Sequence, residues 1–169
     1  AFCAVAKNND RVRLKLAGDG ETYDEIEKLI HSLGIENKVE LLGLLHEDEI
    51  INLLHQTDIY VHSSLAETQS TSLLQVMACK IPIIATDIDG INNLLTNNLD
   101  AVLFPVSNSE LLETFLKAML SSPEMRYSLI ENAYKKVTDQ FNNIVLFKRY
   151  HAFLNNSSEM AYENTTRYQ

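Results

Sequence analysis

The sequence predicts an α/β protein built on a doubly wound parallel sheet. Short apolar runs, most of them closed by a glycine or a polar turn, alternate along the chain with segments of helical period. Parallel strands need crossover connections, and the helical segments supply them, covering the sheet on both faces. With 169 residues and 46% hydrophobic content, the chain is long enough for one domain with a real core and too short for two.

The elements follow in order. Val12 to Ala17 is the first strand and ends in Gly18-Asp19-Gly20, a turn signature; Tyr23, Ile26, Leu29 and Ile30 then recur at helical spacing until Gly34. Val39 to Leu42 is the second strand, closed by Gly43, and Glu47 to His55 forms a helix with Ile50, Leu53 and Leu54 on one face. Ile59 to His62 is the third strand. Ser70 to Ala78 predicts a helix, Ile81 to Ala85 a strand opened by a proline, Ile91 to Leu95 a short helix, and Ala101 to Phe104 another strand. Three helices end the chain. The opening Ala1-Phe2-Cys3-Ala4-Val5-Ala6-Lys7 has no methionine and reads as the end of a helix that begins upstream. There is no internal repeat, and the expected division is a domain over 1–154, truncated at its N-terminus, and a polar tail over 155–169.

A net charge of −9 without a basic cluster argues against a partner that tracks nucleic-acid phosphates and against adsorption to anionic lipid. No apolar run reaches the length of a membrane span, and no signal peptide is visible. Cys3 and Cys79 are too few and too far apart for a disulfide framework or a metal knuckle, which fits a reducing cytoplasm. The acceptor patterns at Asn156 and Asn164 read as chance products of an Asn-rich tail.

In sheets of this kind ligands sit beyond the carboxyl ends of the strands, so the loops after Ala17, Leu42, His62 and Ala85 are the places to search. The loop after His62 is the most informative. It runs Ser63-Ser64-Leu65-Ala66-Glu67-Thr68-Gln69 into a helix opening with Ser70-Thr71-Ser72, and its one acid is Glu67. Amides of a helix's first turn carry partial positive charge, so an anion, most plausibly a diphosphate, is stabilised there. Gln75 lies one turn after Thr71 on the same face and is the only polar side chain between Leu73 and Cys79. It either finds a partner or meets solvent, with Ser70 and Thr71 only capping the helix.

Glu67, then Gln75, then Met77-Ala78-Cys79-Lys80-Ile81-Pro82-Ile83-Ile84-Ala85-Thr86-Asp87 and Gly90, resembles the signature of the retaining GT-B glycosyltransferases, group 1 and family 4-like. The likeness extends to Leu16-Ala17-Gly18-Asp19-Gly20, to Val39-Glu40-Leu41-Leu42-Gly43, to Thr57-Asp58-Ile59-Tyr60-Val61 and to Glu124-Met125-Arg126 after Pro123. It implies a Rossmann-like, C-terminal donor-binding half of a GT-B fold, taking a UDP-sugar or GDP-sugar and needing no metal or other cofactor. By the same resemblance, Glu67 would meet donor-sugar hydroxyls in the catalytic centre. Backbone amides around Gln69, Ser70, Thr71 and Ser72 would hold the diphosphate. Gln75 stands where the family has a second glutamate on the ribose, and the base would lie against Leu44 to Glu47, including His46 and Glu47. The basic residues that neutralise the diphosphate, and the domain that holds the acceptor, would lie upstream of Ala1, so this chain alone should not turn over.

The sequence departs from that pattern in three places. An amide at Gln75 exchanges charge-assisted bonds for neutral ones; Thr68, Gln69 and Ser70 replace a glycine and an aromatic; Lys80 replaces a glycine. These departures motivate an alternative, a non-catalytic glycosyltransferase-like subunit. A further alternative, a sugar-nucleotide epimerase of the same architecture, would also bind nucleotide.

Other motifs compete. Gly18 and Gly20 either cradle a phosphate or only permit a sharp reversal. Asp87-Ile88-Asp89 spells the metal-binding pair of a different glycosyltransferase fold, but no third ligand is evident. Glu27 and His31 are helix-spaced yet too few for zinc. His62 sits in ligand territory beside Ser63 and Ser64, with no acid evidently placed to complete a triad.

Overall fold

The computed structural model describes residues 1–152. The tail expected over 155–169, with Asn156 and Asn164, lies outside the described residues. Five parallel-paired strands alternate with helices: α1 (Phe2–Ala6), β1 (Leu14–Ala17), α2 (Tyr23–Leu33), β2 (Val39–Gly43), α3 (Glu47–Leu54), β3 (Tyr60–His62), α4 (Thr71–Ala78), β4 (Ile83–Thr86), α5 (Asp89–Asn92), β5 (Val102–Phe104), α6 (Ser109–Ser121) and α7 (Pro123–Gln140). A last helical segment covers 143–152. The expected order of strands and helices therefore holds.

The hydrogen bonding divides into two ladders, β1–β2 and β3–β4–β5, each parallel throughout. Among the described residues no strand pairing joins β1 to β3, and both are edge strands whose residues are half-buried or exposed. The middle strand β4 is buried along its whole length.

Side-chain alternation on β4 and β5 builds a core on each face, which is the physical content of a doubly wound sheet. Ile83, Ala85 and Leu103 point to a cluster with Leu73, Val76 and Met77 of α4, Ile91 of α5 and Ala133 and Val137 of α7. Ile84, Val102 and Phe104 point the other way, to Met119 of α6, Leu129 of α7 and the half-buried Leu112, Phe115 and Leu116. The helix α7 thus contributes to both clusters.

Element boundaries differ from the sequence reading where a local bond competes. β1 begins at Leu14, opposite Val39, the first residue of β2, and just before it the Arg13 guanidinium turns back onto the carbonyls of Asp10 and Val12, 2.7 and 2.8 Å away. β4 begins at Ile83, after Pro82, which has no N–H; the carbonyl of Pro82 still accepts from the Tyr60 amide at 3.0 Å. The short helix starts at Asp89 rather than Ile91, since the Asn92 amide group donates to Asp87 across its first turn at 2.7 Å.

Two helices end in the same way with different residues. After α2, Gly34 at φ 64° lets Ile35 N donate to Ile30 O and Gly34 N to His31 O. After α4, Lys80 at φ 58° does the equivalent, with Ile81 N on Val76 O and Lys80 N on Met77 O. The left-handed conformation that glycine adopts freely is costly for lysine. Lys80 is compensated in part by its ammonium, 4.2 Å from the centre of the Tyr134 ring and 3.6 Å from Glu131.

A buried ion pair anchors the connection into β5. Asp100, 2% exposed, accepts from Thr96 N at 2.6 Å and from Lys136 of α7 at 2.7 Å, and Asn132 of α7 donates to Leu99 O at 2.9 Å. At the opposite end of the chain Lys38, bonded to Ala6 O at 2.6 Å, holds the Asp10 carboxyl below its ordinary range through a hydrogen bond and its charge.

Two stability predictions follow from these contacts. Lys80→Gly should exceed Lys80→Ala in stability by about 1 kcal/mol in urea unfolding, because both lose the Tyr134 contact and only glycine relieves the backbone. Asp100→Ala should cost about 3 kcal/mol in the same assay, since it leaves the Lys136 ammonium without its carboxylate.

Candidate functional site

Parallel pairing brings the loops after β3, β4 and β5 to one edge of their ladder, and the loops after β1 and β2 to one edge of theirs. The loop between β3 and α4 carries the largest share of the predicted residues. Its base is fixed by Thr86, a buried hydroxyl at the end of β4 that donates to Ser64 O at 2.6 Å. Further along it rests on α5. A methyl group added at Gly90 would stand 1.7 Å from the carbonyl oxygen of Glu67 and 3.1 Å from Thr68 N, so the backbone at Glu67 occupies the space a side chain would need.

Glu67 is half-buried, and its two carboxylate oxygens have different neighbours. Oε1 accepts from Thr68 N at 3.2 Å, while Oε2 lies 3.6 Å from His62 Nε2. His62 also meets Ser64 Oγ through Nε2 at 3.2 Å and Tyr60 Oη through Nδ1 at 3.5 Å. The sequence showed no acid placed to complete a triad with His62; Glu67 does lie beside it, but not in a triad position. A nucleophilic triad needs the serine on one imidazole nitrogen and the acid on the other. Here Ser64 and Glu67 share Nε2, so the arrangement holds Glu67 and does not activate a serine.

Helix α4 begins directly after this loop. Ser70 is buried and caps it, accepting from Leu73 N at 3.4 Å and exchanging a 2.8 Å bond with Ser72 Oγ. The backbone amides of Thr71 and Ser72 have no acceptor among the described residues, as the geometry of a first turn dictates. The electrostatics single this terminus out. Every other helix that directly follows a strand carries an acid in its first turn: Asp24 and Glu25 in α2, Glu47, Asp48 and Glu49 in α3, Asp89 in α5 and Glu110 in α6; α7 has Glu124, while the last segment over 143–152, which follows a helix, opens Asn143-Ile144-Val145 without one. α4 has none. Its positive end is left for an anion from outside the chain.

Gln75 is exposed, on the same face of α4 as the exposed Thr71, one turn from the open amides. It is therefore available to a ligand rather than engaged in a buried bond. Gln69 is exposed in the loop, and none of Thr68, Gln69 and Ser70 adopts a left-handed backbone, so replacing glycine there introduces no strain.

The remaining predicted residues lie on the β1–β2 ladder. Gly18, at φ 146°, donates its amide to Gly43 O at 2.7 Å, tying the two strand ends together. Gly20 needs no unusual φ and faces open space, so neither backbone nor packing accounts for a glycine there. His46 and Glu47 are exposed at the start of α3, where the His46 amide is occupied by Glu49 Oε2 at 2.8 Å. Asp87 is engaged by Asn92, and His31 pairs with Glu36 at 2.9 Å rather than with Glu27. The backbone bond of Glu36 and the His31 contact hold its carboxyl below the usual range. Among the described residues no group of three or more metal-ligating side chains converges, and no helix is long and apolar enough to cross a membrane.

Comparison with known proteins gives this geometry its setting. Alpha-monoglucosyldiacylglycerol synthase of Streptococcus pneumoniae is 28% identical over 154 residues, 90% of this chain and 34% of that protein. Anabaena HepE, solved in complex with UDP-glucose, has the same fold with a TM-score of 0.81 at 23% identity, covering 90% of this chain and 43% of its own. The C-terminal domain of LpcC, a group 1 family glycosyl transferase from Francisella tularensis, matches with a TM-score of 0.75 at 21% identity over 83% of this chain and 75% of that domain. The chain spans about a third of the length of the curated relatives it matches. The family model for group 1 glycosyl transferases covers residues 1–136, and with the α/β architecture of the GT-B neighbours behind it, this chain belongs to the glycosyl transferases of group 1.

Proposed function

We propose that the chain is the donor-binding part of a retaining hexosyltransferase and takes a nucleoside diphosphate sugar at the start of α4. The observation that carries this reading is the acid-free N-terminus of α4, with the amides of Thr71 and Ser72 open and a carboxylate, Glu67, in the loop directly before it. An anionic diphosphate is stabilised by the helix terminus, and a carboxylate held beside it accepts hydrogen bonds from hydroxyls of the attached sugar. Breaking the bond between the sugar carbon and the diphosphate leaves the electron pair on the diphosphate, so the same amides stabilise the charge that grows in the transition state.

The other residues take complementary roles. Gln75, one exposed turn along α4, meets the ribose; the segment from Leu44 through His46 to Glu47 lies against the base; Gly18 and Gly20 border the site. A uridine donor is supported by the UDP-glucose complex of HepE, whose fold this chain shares, and guanosine remains the alternative to be tested. The acceptor would be held by a domain preceding this one, in keeping with the chain's third of its relatives' length. The basic residues that neutralise the diphosphate in the family's pattern would come from that same preceding segment. Retention, and a hexose as the group transferred, are carried over from the family's signature.

Calorimetric titration with UDP and GDP, alone and as nucleotide sugars, tests the assignment. One nucleotide is expected to bind, Gln75→Ala to weaken it, and Gln75→Glu to tighten it about tenfold by exchanging a neutral for a charge-assisted bond. Glu67→Ala should weaken the sugar-bearing form and leave the bare nucleotide unchanged. Failure of every nucleotide to bind, even to a protein extended upstream, favours the non-catalytic subunit that the amide at Gln75 suggests.

A further inference from the structure

From the packing around the loop, we infer that Gly90 and His62 are positioning residues for Glu67, acting on the bound sugar only through that carboxylate. This inference rests on the reading of Glu67 as a ligand of the donor sugar. Gly90 fixes where the backbone of Glu67 runs, and His62 fixes where its carboxylate points.

Gly90 cannot be replaced without moving one of two bodies. A methyl group there stands 1.7 Å from Glu67 O and 2.3 Å from Glu67 C, while real contacts of this kind stay above 3.0 Å, so a shift of about 1.3 Å is required. The helix α5 cannot supply it. Gly90 and Ile91 are both buried, and Ile91 is 0% exposed within the core formed with α4 and α7. The loop is the side that yields, since Leu65 is 74% exposed and Ala66, Thr68 and Gln69 are exposed around Glu67. A displacement on the order of 1 Å in a positioned group is enough to forfeit most of what it contributes.

His62 acts on the side chain. It and Tyr60 alternate on one face of β3, with ring centres 6.1 Å apart. The Tyr60 hydroxyl lies 3.5 Å from Nδ1, while Nε2 faces Glu67 Oε2 at 3.6 Å and Ser64 Oγ at 3.2 Å; in the tautomer that carries its proton on Nε2, the ring presents a donor to the carboxylate and an acceptor to Tyr60. Ser64 is itself tied to β4 through Thr86. The imidazole is therefore held from both sides, and Oε2 is drawn toward it while Thr68 N holds Oε1. The carboxylate keeps acceptor capacity beyond these contacts for hydroxyls of a sugar.

The test compares the affinity of the 169-residue chain for UDP-glucose with its affinity for UDP, the ratio being the increment due to the sugar. GDP and GDP-mannose replace them if guanosine is the base that binds. His62→Ala and Gly90→Ala should each reduce that ratio about tenfold, with UDP affinity and the thermal melt of His62→Ala unchanged. His62→Gln, whose amide reproduces the Nε2 donor, should restore most of the ratio. In a Glu67→Ala background neither substitution should reduce it further, because each acts through the missing carboxylate. Should Gly90→Ala fail to fold, the His62 pair of variants and their cycle with Glu67→Ala decide. If Glu67→Ala lowers the ratio but His62→Ala does not, or if the losses add in the double variants, the positioning role is overturned and the sugar-site assignment stands. If Glu67→Ala leaves the ratio unchanged, the assignment itself falls and the inference with it.

Discussion

The contact between Gly90 and the backbone of Glu67 is the constraint on which the candidate site depends. Parallel pairing of β3 with β4 places the loop after His62 beside the loop after Thr86, and the absence of a side chain at Gly90 lets the two touch backbone to backbone. Thr86, buried at the end of β4, ties the first half of the loop down at Ser64. These two anchors set the course of an otherwise exposed loop, which is delivered into α4 with Glu67 just ahead of the helix.

The electrostatic character of the site comes from a difference among helices that are otherwise built alike. Acids in the first turn of a helix satisfy its dipole from within the chain. Each helix that directly follows a strand uses that device except α4, whose cap is the uncharged, buried Ser70. In a chain of net charge −9, leaving the α4 terminus free of acid preserves a local attraction for an anion that the molecule as a whole repels. The core beneath it is two-sided, with Ile83 and Ala85 facing α4 and Ile84 facing α6, so the helix is held firmly.

Much of this was legible in the sequence, for definite reasons. The order of strands and helices follows from period and from glycine or polar punctuation, and Ser70, Thr71 and Ser72 mark a helix start wherever they precede an apolar periodic run. The position of Gln75 relative to Thr71 follows from helical geometry, and both are exposed as that spacing allows. The division of the strands into two ladders was not legible, since strand order is a property of crossovers and no local signal reports it. Neither was the contact of His62 with Glu67, which spans four intervening residues of irregular loop where no period relates one side chain to the other. Gly90 stood in the motif without a role, because a glycine kept for its missing methyl group looks in sequence like one kept for its dihedral angles. Lys80 shows the converse: a left-handed helix end recognisable as a glycine position is filled by a residue that tolerates it through Tyr134 and Glu131.

The most direct test of the account is to follow backbone amide resonances while the chain is titrated with UDP. The account predicts that the amides of Thr71 and Ser72 shift furthest and saturably, with Gln75 following and the first turns of α6 and α7 unmoved. Saturable shifts centred on another helix terminus, with Thr71 and Ser72 unaffected, would contradict it.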